Sequence, residues 1–475
     1  MIRELISFYR PSYPKALVYM LQSTEYRIKP YLYWYWHTNN FSVVEHRRSL
    51  DYTGPAKLLL AALYIGMTLQ FVAAALIIIL SGGDRWAYGV ALAVVTPVLW
   101  AHIIALPMFV GHLAIIAPRH RTLIHASKKI FAEHPGIKIA VAGSYGKTSM
   151  KELLLTVLSE GKTVAATPAN KNVSVSHAYF AAKLTGKEDI VIIEYGEGKP
   201  GDVTRFAKIT HPTHAVITGI APAHLDQYKT LDGAAKDIFS VGNYVEPDRL
   251  YVNEESPLAQ PYISKKAQRY SHAGALGWKV TDVKVELTGM HFALVKGAKR
   301  LVLQTKLVGR HHLGPLSLAA ALAHEFGLTD DQIKAGIAKT APYEHRMQPY
   351  QLADAWIIDD TYNGNIEGVR AGTALLHELP AKRKIYVTPG LVDQGMEGRA
   401  VHEEMGKLIA AAKPDVVVLM KNSATHDIQA GLEAANYSGG LVVQDDPLDF
   451  YRNLPSFVAA GDVVLMQNDW TDNYL

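Results

Sequence analysis

The sequence predicts an α/β protein in which two α/β domains follow a pair of membrane-spanning helices. Three observations support this fold class. Two long uncharged apolar stretches lie in the first quarter of the chain. A short apolar strand then runs into a glycine turn that carries a lysine and paired hydroxyls, residues 139–149. After this turn, strand-like and helix-like runs alternate in two series, which is typical of parallel sheets with helical crossovers.

The composition narrows the function classes. A chain of 475 residues is long enough for two or three domains with sizeable cores. It has 48 Lys and Arg against 44 Asp and Glu, and this net charge of +4 gives no overall electrostatic case for nucleic-acid binding. Because there is no cysteine, the composition excludes disulfides, thiolate metal sites and cysteine nucleophiles.

Residues 56–118 are predicted to form a transmembrane helical hairpin. The runs Leu58–Leu80 and Trp86–Pro118 carry no charged residue, and each is long enough to cross a hydrocarbon core of about 30 Å. Basic residues precede and follow the hairpin, whereas its connecting loop has one arginine and one aspartate. The positive-inside rule therefore predicts a protein of the cytoplasmic (inner) cell membrane whose later domains are on the cytoplasmic side.

Residues 1–55 are predicted to be a basic and aromatic juxtamembrane segment. Its run Tyr-Leu-Tyr-Trp-Tyr-Trp, residues 31–36, has two interpretations. Tyrosine and tryptophan beside basic residues are typical of a segment lying in the lipid headgroup layer. The alternative is an aromatic core patch of a small N-terminal domain.

The rest of the chain is predicted to be a basic linker at 119–135 and two α/β domains at 136–343 and 344–475, with a boundary near residue 345. In the first domain we expect strands at Ile190–Glu194 and Ala215–Thr218, a small antiparallel insertion within Val280–Val308, and helices at Leu316–Phe326 and Thr329–Lys339. In the second we expect strands at Trp356–Ile358, Lys384–Thr388, Val416–Met420, Leu441–Gln444 and Val463–Met466.

The turn after the first of these strands is predicted to bind phosphate. Backbone N–H groups of such a turn and of the following helix N-terminus point at the anion, Lys147 reaches the outer phosphates, and the Thr148 hydroxyl is placed to bind Mg²⁺. A common P-loop has a further glycine where this chain has Val141, so the loop is the tighter form Gly143-x-x-Gly146-Lys147-Thr148. By itself the pattern also fits an ordinary strand-to-helix turn.

Two further strand ends carry polar side chains. Glu194 ends an apolar strand, and His224 and Asp226 follow another. The carboxyl ends of parallel strands are where open α/β sheets place their ligands. Each residue alone also fits a solvent-exposed or structural side chain.

Taken together, these motifs resemble the Mur ligase family over about residues 137–415. The matching residues, in chain order, are Gly-Ser-Tyr-Gly-Lys-Thr-Ser-x-Lys-Glu at 143–152, Thr167-Pro-Ala-Asn170-Lys-Asn172, Glu194-Tyr-Gly, Pro200-Gly201-Asp202, Ala223-His224-Leu225, Ala235-Lys236, His345-Arg346-Met347, Ile358-Asp359-Asp360-Thr-Tyr362-Asn363 and His402.

The resemblance implies a P-loop-type central ATPase domain and a C-terminal Rossmann-like domain that close on each other, with ATP and Mg²⁺ as cofactors. It implies nucleotide contacts from Gly143, Ser144, Gly146, Lys147, Thr148, Ser149, Arg346, Asp360, Tyr362 and Asn363. It implies metal ligands at Thr148, Glu194 and His224. It implies catalytic roles for Lys147, Lys236, His224 and Arg346, with Lys236 as the lysine that becomes a carbamate. It implies substrate contacts from Asn170, Asn172 and His402.

By the same resemblance the function is ATP-dependent amide-bond formation through an acyl phosphate. The implied partners are a peptidoglycan precursor, an added amino acid or dipeptide of the D-alanyl-D-alanine type, and the membrane, with no nucleic acid. Because the membrane hairpin stands where a soluble member has its UDP-binding domain, we hypothesise a lipid-linked acceptor. Two alternatives stay open: a membrane-tethered ligase for another polymer such as poly-γ-glutamate, and a membrane transport or signalling ATPase.

Three segments depart from the family pattern. The adenine-seating segment Gly-x-His-Asn-x-x-Asn is Gly309-Arg-His-His312-Leu-Gly-Pro315 here, which leaves adenine recognition unassigned. The expected Gly-Asp-Met-x-Glu-Leu-Gly is replaced by residues 389–395, and a basic Lys-Gly-Ser-Arg by Gln467-Asn468-Asp469-Trp470. These last two elements lie on the substrate side in the family, so the acceptor or the amine is expected to differ.

Overall fold

The computed structural model describes residues 6–24, 26–42, 50–80, 85–169, 171–222, 225–362, 364–392 and 397–468, without the side chains of residues 225 and 226. It divides into two compact units, residues 1–122 and 123–475.

The first unit is helical. Its helices are α1 (Tyr13–Ser23), α2 (Ile28–His37), α3 (Gly54–Leu80), α4 (Trp86–Ile103) and α5 (Ala105–Gly111), followed by a π-helical turn (His112–Ile116). Helix α6 (Ala117–Glu133) begins in this unit and continues into the second. Helices α3 and α4 pack along each other, as the hairpin prediction expects. The predicted linker at 119–135 is mostly helical, because α6 continues to Glu133.

Aromatic side chains of the N-terminal helices build a core in this unit. Tyr13, Tyr31 and Tyr35 are buried together with residues of α3, such as Leu63. The Tyr13 hydroxyl donates to the Pro97 carbonyl at 3.1 Å, and the Tyr31 hydroxyl donates to the Ala101 carbonyl at 2.8 Å. The burial of Tyr31 and Tyr35 agrees with the interpretation of this segment as an aromatic core patch.

Other residues of the same aromatic run face outward. Tyr33 is 68% exposed and Trp36 is 65% exposed. The run thus has a buried and an exposed face, since it forms the amphipathic helix α2.

The second unit begins with a ten-stranded sheet. Its strands are β1 (Ile137–Ala142), β2 (Val164–Ala166), β3 (Ile190–Glu194), β4 (His214–Ile217), β5 (Leu250–Asn253), β6 (Gln268–Ser271), β7 (Gly274–Ala275), β8 (Trp278–Glu286), β9 (Gly289–Lys296) and β10 (Lys299–Thr305). The strand order is β10-β9-β8-β7-β6-β5-β4-β1-β3-β2. Strands β1 to β6 are parallel, and β7 to β10 form the predicted antiparallel insertion.

Helices cover both faces of this sheet. They are α7 (Lys147–Leu158), α8 (Ser174–Ala181), α9 (Asp202–Thr210), α10 (Leu225–Tyr228), α11 (Leu231–Phe239), α12 (Leu313–Glu325) and α13 (Asp330–Lys339), with 3₁₀ turns at Ser240–Tyr244, Pro247–Arg249, Pro257–Tyr262 and Arg310–His312. Alternate residues of β1 enter two different cores, Ile139 and Val141 on one face and Ala140 and Ala142 on the other. A strand buried on both faces needs a continuous apolar run, which is what the sequence shows there.

A six-stranded sheet follows. Its strands are β11 (Gln348–Leu352), β12 (Ala355–Asp360), β13 (Arg383–Thr388), β14 (Val416–Met420), β15 (Gly440–Gln444) and β16 (Asp462–Gln467). They lie in the order β11-β12-β16-β13-β14-β15, parallel except for β11. The helices between them are α14 (Ile366–Glu378), α15 (Gly398–Ala411), α16 (Thr425–Ala434) and α17 (Pro447–Phe457).

The predicted strands are present within two residues of their expected ends. Short strands such as β2, β5 and β11 were not expected. Residues 341–347 connect the last helix of the first sheet's domain, which ends at Lys339, to β11, which begins at Gln348.

The crossing of α15 and α16 gives a stability prediction. A Cβ at Gly431 would lie 2.0 Å from the Glu403 carbonyl oxygen, and backbone of a neighbouring helix cannot yield cheaply. We expect Gly431→Ala to lower the free energy of unfolding by about 2 kcal/mol through overpacking, measured by chemical denaturation. Gly368→Ala, in α14 with its nearest neighbour atom at 3.9 Å, is the matched control and should be neutral or stabilising by up to about 1 kcal/mol. Equal effects of the two substitutions would contradict the packing described.

Candidate functional site

The phosphate loop joins β1 to α7 through two residues with left-handed backbone. Gly143 has φ of 144° and Gly146 has φ of 72°. A Cβ at Gly143 would lie 2.2 Å from the Thr218 hydroxyl oxygen, so the loop presses against the end of β4. Because α7 begins at Lys147, its first-turn N–H groups have no acceptor within the helix and face an incoming anion.

Glu194 lies at the end of β3, beside this loop. The register of β1 with β3 aligns Val141 with Glu194, which brings the two strand ends level. The Glu194 carboxylate is buried, and its Oε1 accepts hydrogen bonds from the Thr148 hydroxyl at 3.1 Å and the Asn172 amide at 3.2 Å. Asn172, predicted to contact substrate, thus contacts the predicted metal ligand.

Two lysines complete this group of charges. The fully buried Lys151 has its Nζ 3.3 Å from Glu194 Oε2. Lys147 Nζ donates to the Gly143 carbonyl at 2.6 Å and lies 2.9 and 2.7 Å from the two carboxylate oxygens of Glu197. The cluster therefore pairs each ammonium group with a carboxylate next to the phosphate loop.

The geometry at Thr148 and Glu194 fits a magnesium ion. Their oxygens are 3.1 Å apart, close to the roughly 3 Å that separates adjacent ligands of an octahedral Mg²⁺ with bonds of about 2.1 Å. The described residues contain no group of three or more His, Asp or Glu side chains that could hold a metal. Magnesium needs no such cage, since it is usually held by one or two carboxylates together with water and substrate phosphates.

Arg346 lies in the segment between the two sheets. Its guanidinium is 4.3 Å from the centre of the Tyr362 ring, and its Nε is buried without a hydrogen-bond partner. Leaving a buried donor without an acceptor costs folding free energy. An anionic ligand that accepted a hydrogen bond from this nitrogen would remove that cost. The structure brings Arg346, Tyr362 and Asp360 together, because the Met347 N–H donates to Asp360 Oδ1 at 3.2 Å.

Some buried polar atoms without hydrogen bonds belong to predicted nucleotide or metal residues. Among the described residues, five buried side-chain polar atoms lack a partner: Ser144 Oγ, His177 Nδ1, Glu194 Oε2, His312 Nε2 and Arg346 Nε. Glu194 Oε2 still has the Lys151 charge nearby. Folded proteins satisfy most buried polar groups, so the unpaired atoms of Ser144, Glu194 and Arg346 fit a ligand site.

His311 and His312 occupy the segment that departs from the family pattern. Burial lowers the pKa of His311 to about 4 and that of His312 well below its ordinary value. Both rings are therefore neutral near pH 7, and His312 Nε2 can form one hydrogen bond with a ligand.

Asp360 anchors a buried polar network at the end of β12. Gln467 Nε2 donates to Asp360 Oδ2 at 2.7 Å, and the Tyr386 hydroxyl donates to Gln467 Oε1 at 2.9 Å. Asn468 Nδ2 lies 3.3 Å from the Thr388 hydroxyl. Gln467 and Asn468, the first two residues of the segment that replaces the family's Lys-Gly-Ser-Arg, thus fill the interior of this domain.

His402, predicted to contact substrate, lies inside the C-terminal domain with both ring nitrogens in hydrogen-bonding contact with backbone atoms. Its side chain is buried, with Nδ1 2.7 Å from the Gly398 carbonyl and Nε2 accepting from the Leu391 N–H at 2.9 Å. Nε2 therefore holds the loop after β13, and Nδ1 bonds within the helix α15. The sequence could not show this, because a histidine in a helix has the same pattern in either role.

Lys236 is not part of the cluster. Its ammonium pairs with Asp232 at 2.7 Å, one turn away in α11, and its side chain is 69% exposed. The next residue, Asp237, is buried and accepts a hydrogen bond from Tyr228. A carbamate on Lys236 would place a negative charge beside Asp232, so this position does not support the predicted carbamylation.

Three predicted residues, His224, Asn170 and Asn363, lie outside the described residues. Ser149 is half-buried in the first turn of α7.

Glu197 and Lys151 belong to the charged cluster but were not predicted as site residues from the sequence. The signals available were a second carboxylate three residues after Glu194 and a second lysine one helical turn after Lys147.

Comparison with known families covers both α/β domains. The model described as Mur ligase middle domain matches residues 141–323, and the model described as Mur ligase, glutamate ligase domain matches residues 345–467. The UDP-N-acetylmuramoyl-tripeptide--D-alanyl-D-alanine ligase of Escherichia coli (strain K12) is 30% identical over 295 residues, which cover 60% of this chain and 64% of that protein. The ligase of the same name from Synechocystis is 27% identical over 339 residues, 70% of each chain. The chain thus spans just under two thirds of its E. coli relative.

Solved structures share the fold. MurF from Acinetobacter baumannii has a TM-score of 0.64 at 20% identity, covering 74% of this chain and 77% of its own. MurF ligase from Thermotoga maritima in complex with ADP has a TM-score of 0.63 at 20% identity, covering 74% and 80%. At this identity the likeness concerns the fold alone.

The Asp360 carboxyl gives a pH prediction. Burial raises its pKa from 3.8 to about 6, although Gln467 and Met347 hydrogen bonds oppose the rise. In the unfolded chain Asp360 ionises first as pH increases, so the folded state loses up to about 3 kcal/mol of relative stability between pH 4 and 6. We expect the free energy of unfolding of the unmodified chain minus that of Asp360→Asn to fall over this range in urea titrations. A difference that stays constant or rises would contradict the buried carboxyl.

Proposed function

Since this chain belongs to the Mur ligase family, we propose that it is an ATP-dependent ligase that forms an amide bond through an acyl phosphate. The acceptor we propose is a peptidoglycan precursor, and the added group is D-alanyl-D-alanine or a related amino acid or dipeptide. The names of the relatives support this choice of substrates.

The observation that carries the proposal is the arrangement of Lys147, Thr148 and Glu194 at the carboxyl edge of the parallel sheet. A phosphate-binding helix N-terminus, an ammonium and a pair of oxygens at magnesium spacing lie together there. Strand β1 lies between β3 and β4, which is the kind of switch point where open α/β sheets bind ligands.

The chemistry needs positioning and charge neutralisation. A carboxylate oxygen of the acceptor attacks the γ-phosphorus of ATP and ADP leaves; the amine then attacks the acyl carbon, loses a proton, and phosphate leaves. Lys147, the first-turn N–H groups of α7 and Arg346 bind oxygens of the phosphates and stabilise the charge of the transferring group. Thr148 and Glu194 would hold Mg²⁺, which supplies further charge neutralisation at these oxygens.

We further propose a Rossmann-like C-terminal domain and a membrane hairpin. Parallel strands with intervening helices support the first. For the second, two helices, Gly54–Leu80 and Trp86–Glu133, are long and apolar enough to cross a membrane by length and composition. Exposed apolar side chains run along both, including Ile65, Leu76 and Phe109. With basic residues flanking both ends, the hairpin would hold the ligase domains at the cytoplasmic face of the membrane.

A membrane hairpin favours a lipid-linked acceptor. Attachment to the same bilayer confines enzyme and acceptor to one surface and raises their effective concentration. The family models match residues from 141 onward, so the hairpin lies outside the part that the family shares.

The first functional prediction concerns Lys147. We expect Lys147→Ala to leave a folded protein whose ligation rate is at least about 100-fold lower, because one pre-oriented charge at the phosphates is lost. The measurement is ATP-dependent phosphate release that requires both the acceptor and the amine. Lys339→Ala, which removes a lysine ion-paired to Glu160 at 2.6 Å, is the control and should keep the rate. Full activity of Lys147→Ala would refute the site, and release independent of the amine would favour a transport or signalling ATPase.

The second functional prediction concerns the acceptor. In nanodiscs, we expect the full chain to ligate a lipid-linked precursor faster than the UDP-linked one with the same peptide, because only the former shares its bilayer. Solubilisation in detergent should remove most of the difference. A preference for the soluble acceptor under both conditions would reject the lipid-linked proposal and leave the hairpin as an anchor.

A further inference from the structure

Glu197 has no part in the chemistry described above, yet it contacts the phosphate-binding lysine directly. Both of its carboxylate oxygens reach Lys147 Nζ, at 2.9 and 2.7 Å. Its side chain is 5% exposed and that of Lys147 is 12% exposed. An ion pair so shielded from water is stronger than one at the surface.

The contact with Glu197 uses the hydrogen-bond donors of the Lys147 ammonium. An ammonium has three N–H donors, and three acceptors surround Lys147 Nζ: the Gly143 carbonyl and the two oxygens of Glu197. A phosphate oxygen that binds Lys147 must displace at least one of them. A phosphate at this position would also face the Glu197 carboxylate, and like charges at short range repel.

The charge of the neighbouring Glu194 carboxylate is neutralised by a different lysine. Glu194 takes its charge partner from the fully buried Lys151, which is also 3.3 Å from Glu152. The two lysines are therefore matched by at least as many carboxylates, Glu194, Glu197 and Glu152. A nucleotide arriving without a cation finds no net positive charge in the cluster apart from the helix N-terminus.

We propose that Glu197 makes nucleotide binding depend on a divalent cation. Without the cation, Glu197 holds Lys147 and repels the phosphates. A divalent cation that arrives with the nucleotide compensates the Glu197 charge and releases Lys147 to the phosphate oxygens. This inference rests on the proposed function, because it assumes that the loop binds a nucleotide.

The test measures ADP affinity by titration calorimetry on the full chain in detergent, at constant ionic strength, in excess Mg²⁺ and in EDTA. The quantity compared is the ratio of the Kd in EDTA to the Kd in Mg²⁺. We expect Glu197→Gln to tighten ADP binding in EDTA about tenfold, the equivalent of about 1.4 kcal/mol, and to lower the ratio correspondingly. Glu160→Gln, which breaks the ion pair with Lys339 in the same domain, should keep the ratio of the unmodified chain.

The outcomes separate the two proposals. If Glu197→Gln keeps the ratio of the unmodified chain, the role of Glu197 is rejected while nucleotide binding stands. If the unmodified chain binds no ADP even with Mg²⁺, the proposed function itself is rejected, and this inference with it. Glu197→Ala serves as a second variant, and the thermal unfolding temperature of each variant shows that the comparison concerns folded protein.

Discussion

A buried carboxylate at the end of β3 is the constraint around which the nucleotide-side structure is built. Glu194 is removed from water by strands on either side, and a buried charge must be paired and hydrogen-bonded. Thr148, Asn172 and Lys151 supply these contacts from three different segments. Removing one partner of such a buried group generally costs about 3–5 kcal/mol, so these segments are held in register by the same carboxylate that is suited to hold a metal.

The backbone behind Glu194 is fixed as well. His177 Nε2 donates to the Glu194 carbonyl at 2.8 Å, and burial lowers the pKa of His177 to about 4, so the ring stays neutral. The same ring packs edge-on against Phe206 at 5.0 Å between ring centres. The position of the carboxylate thus follows from packing and neutral hydrogen bonds on one side and from ionic contacts on the other.

The second sheet joins the site through the segment around Arg346. Asp360 receives the Met347 N–H and the Gln467 amide, which ties the segment to the end of the β12–β16 pair. Arg346 rests on the Tyr362 ring, so its charge is oriented while its buried nitrogen has no internal acceptor. Burial raises the pKa of Tyr145 in the phosphate loop to about 12, and the Glu367 charge from α14 acts in the same direction. The Glu367 carboxylate of α14 is therefore close enough to influence the phosphate loop.

Features that depend on neighbours in the chain could be predicted from the amino-acid sequence alone. Gly143 and Gly146 mark the turn because their backbone requires positive φ, the apolar runs mark strands buried on both faces, and Lys147 and Thr148 follow at fixed positions of a helix start. Which polar residues contact each other depends on the three-dimensional fold. Lys236 faces solvent while the adjacent Asp237 is buried, since one residue along a helix turns the side chain by about 100°. Glu197 reaches Lys147 across 50 residues, and Gln467 reaches Asp360 across 107; such pairings arise when separate strands align in a sheet, which no local pattern encodes.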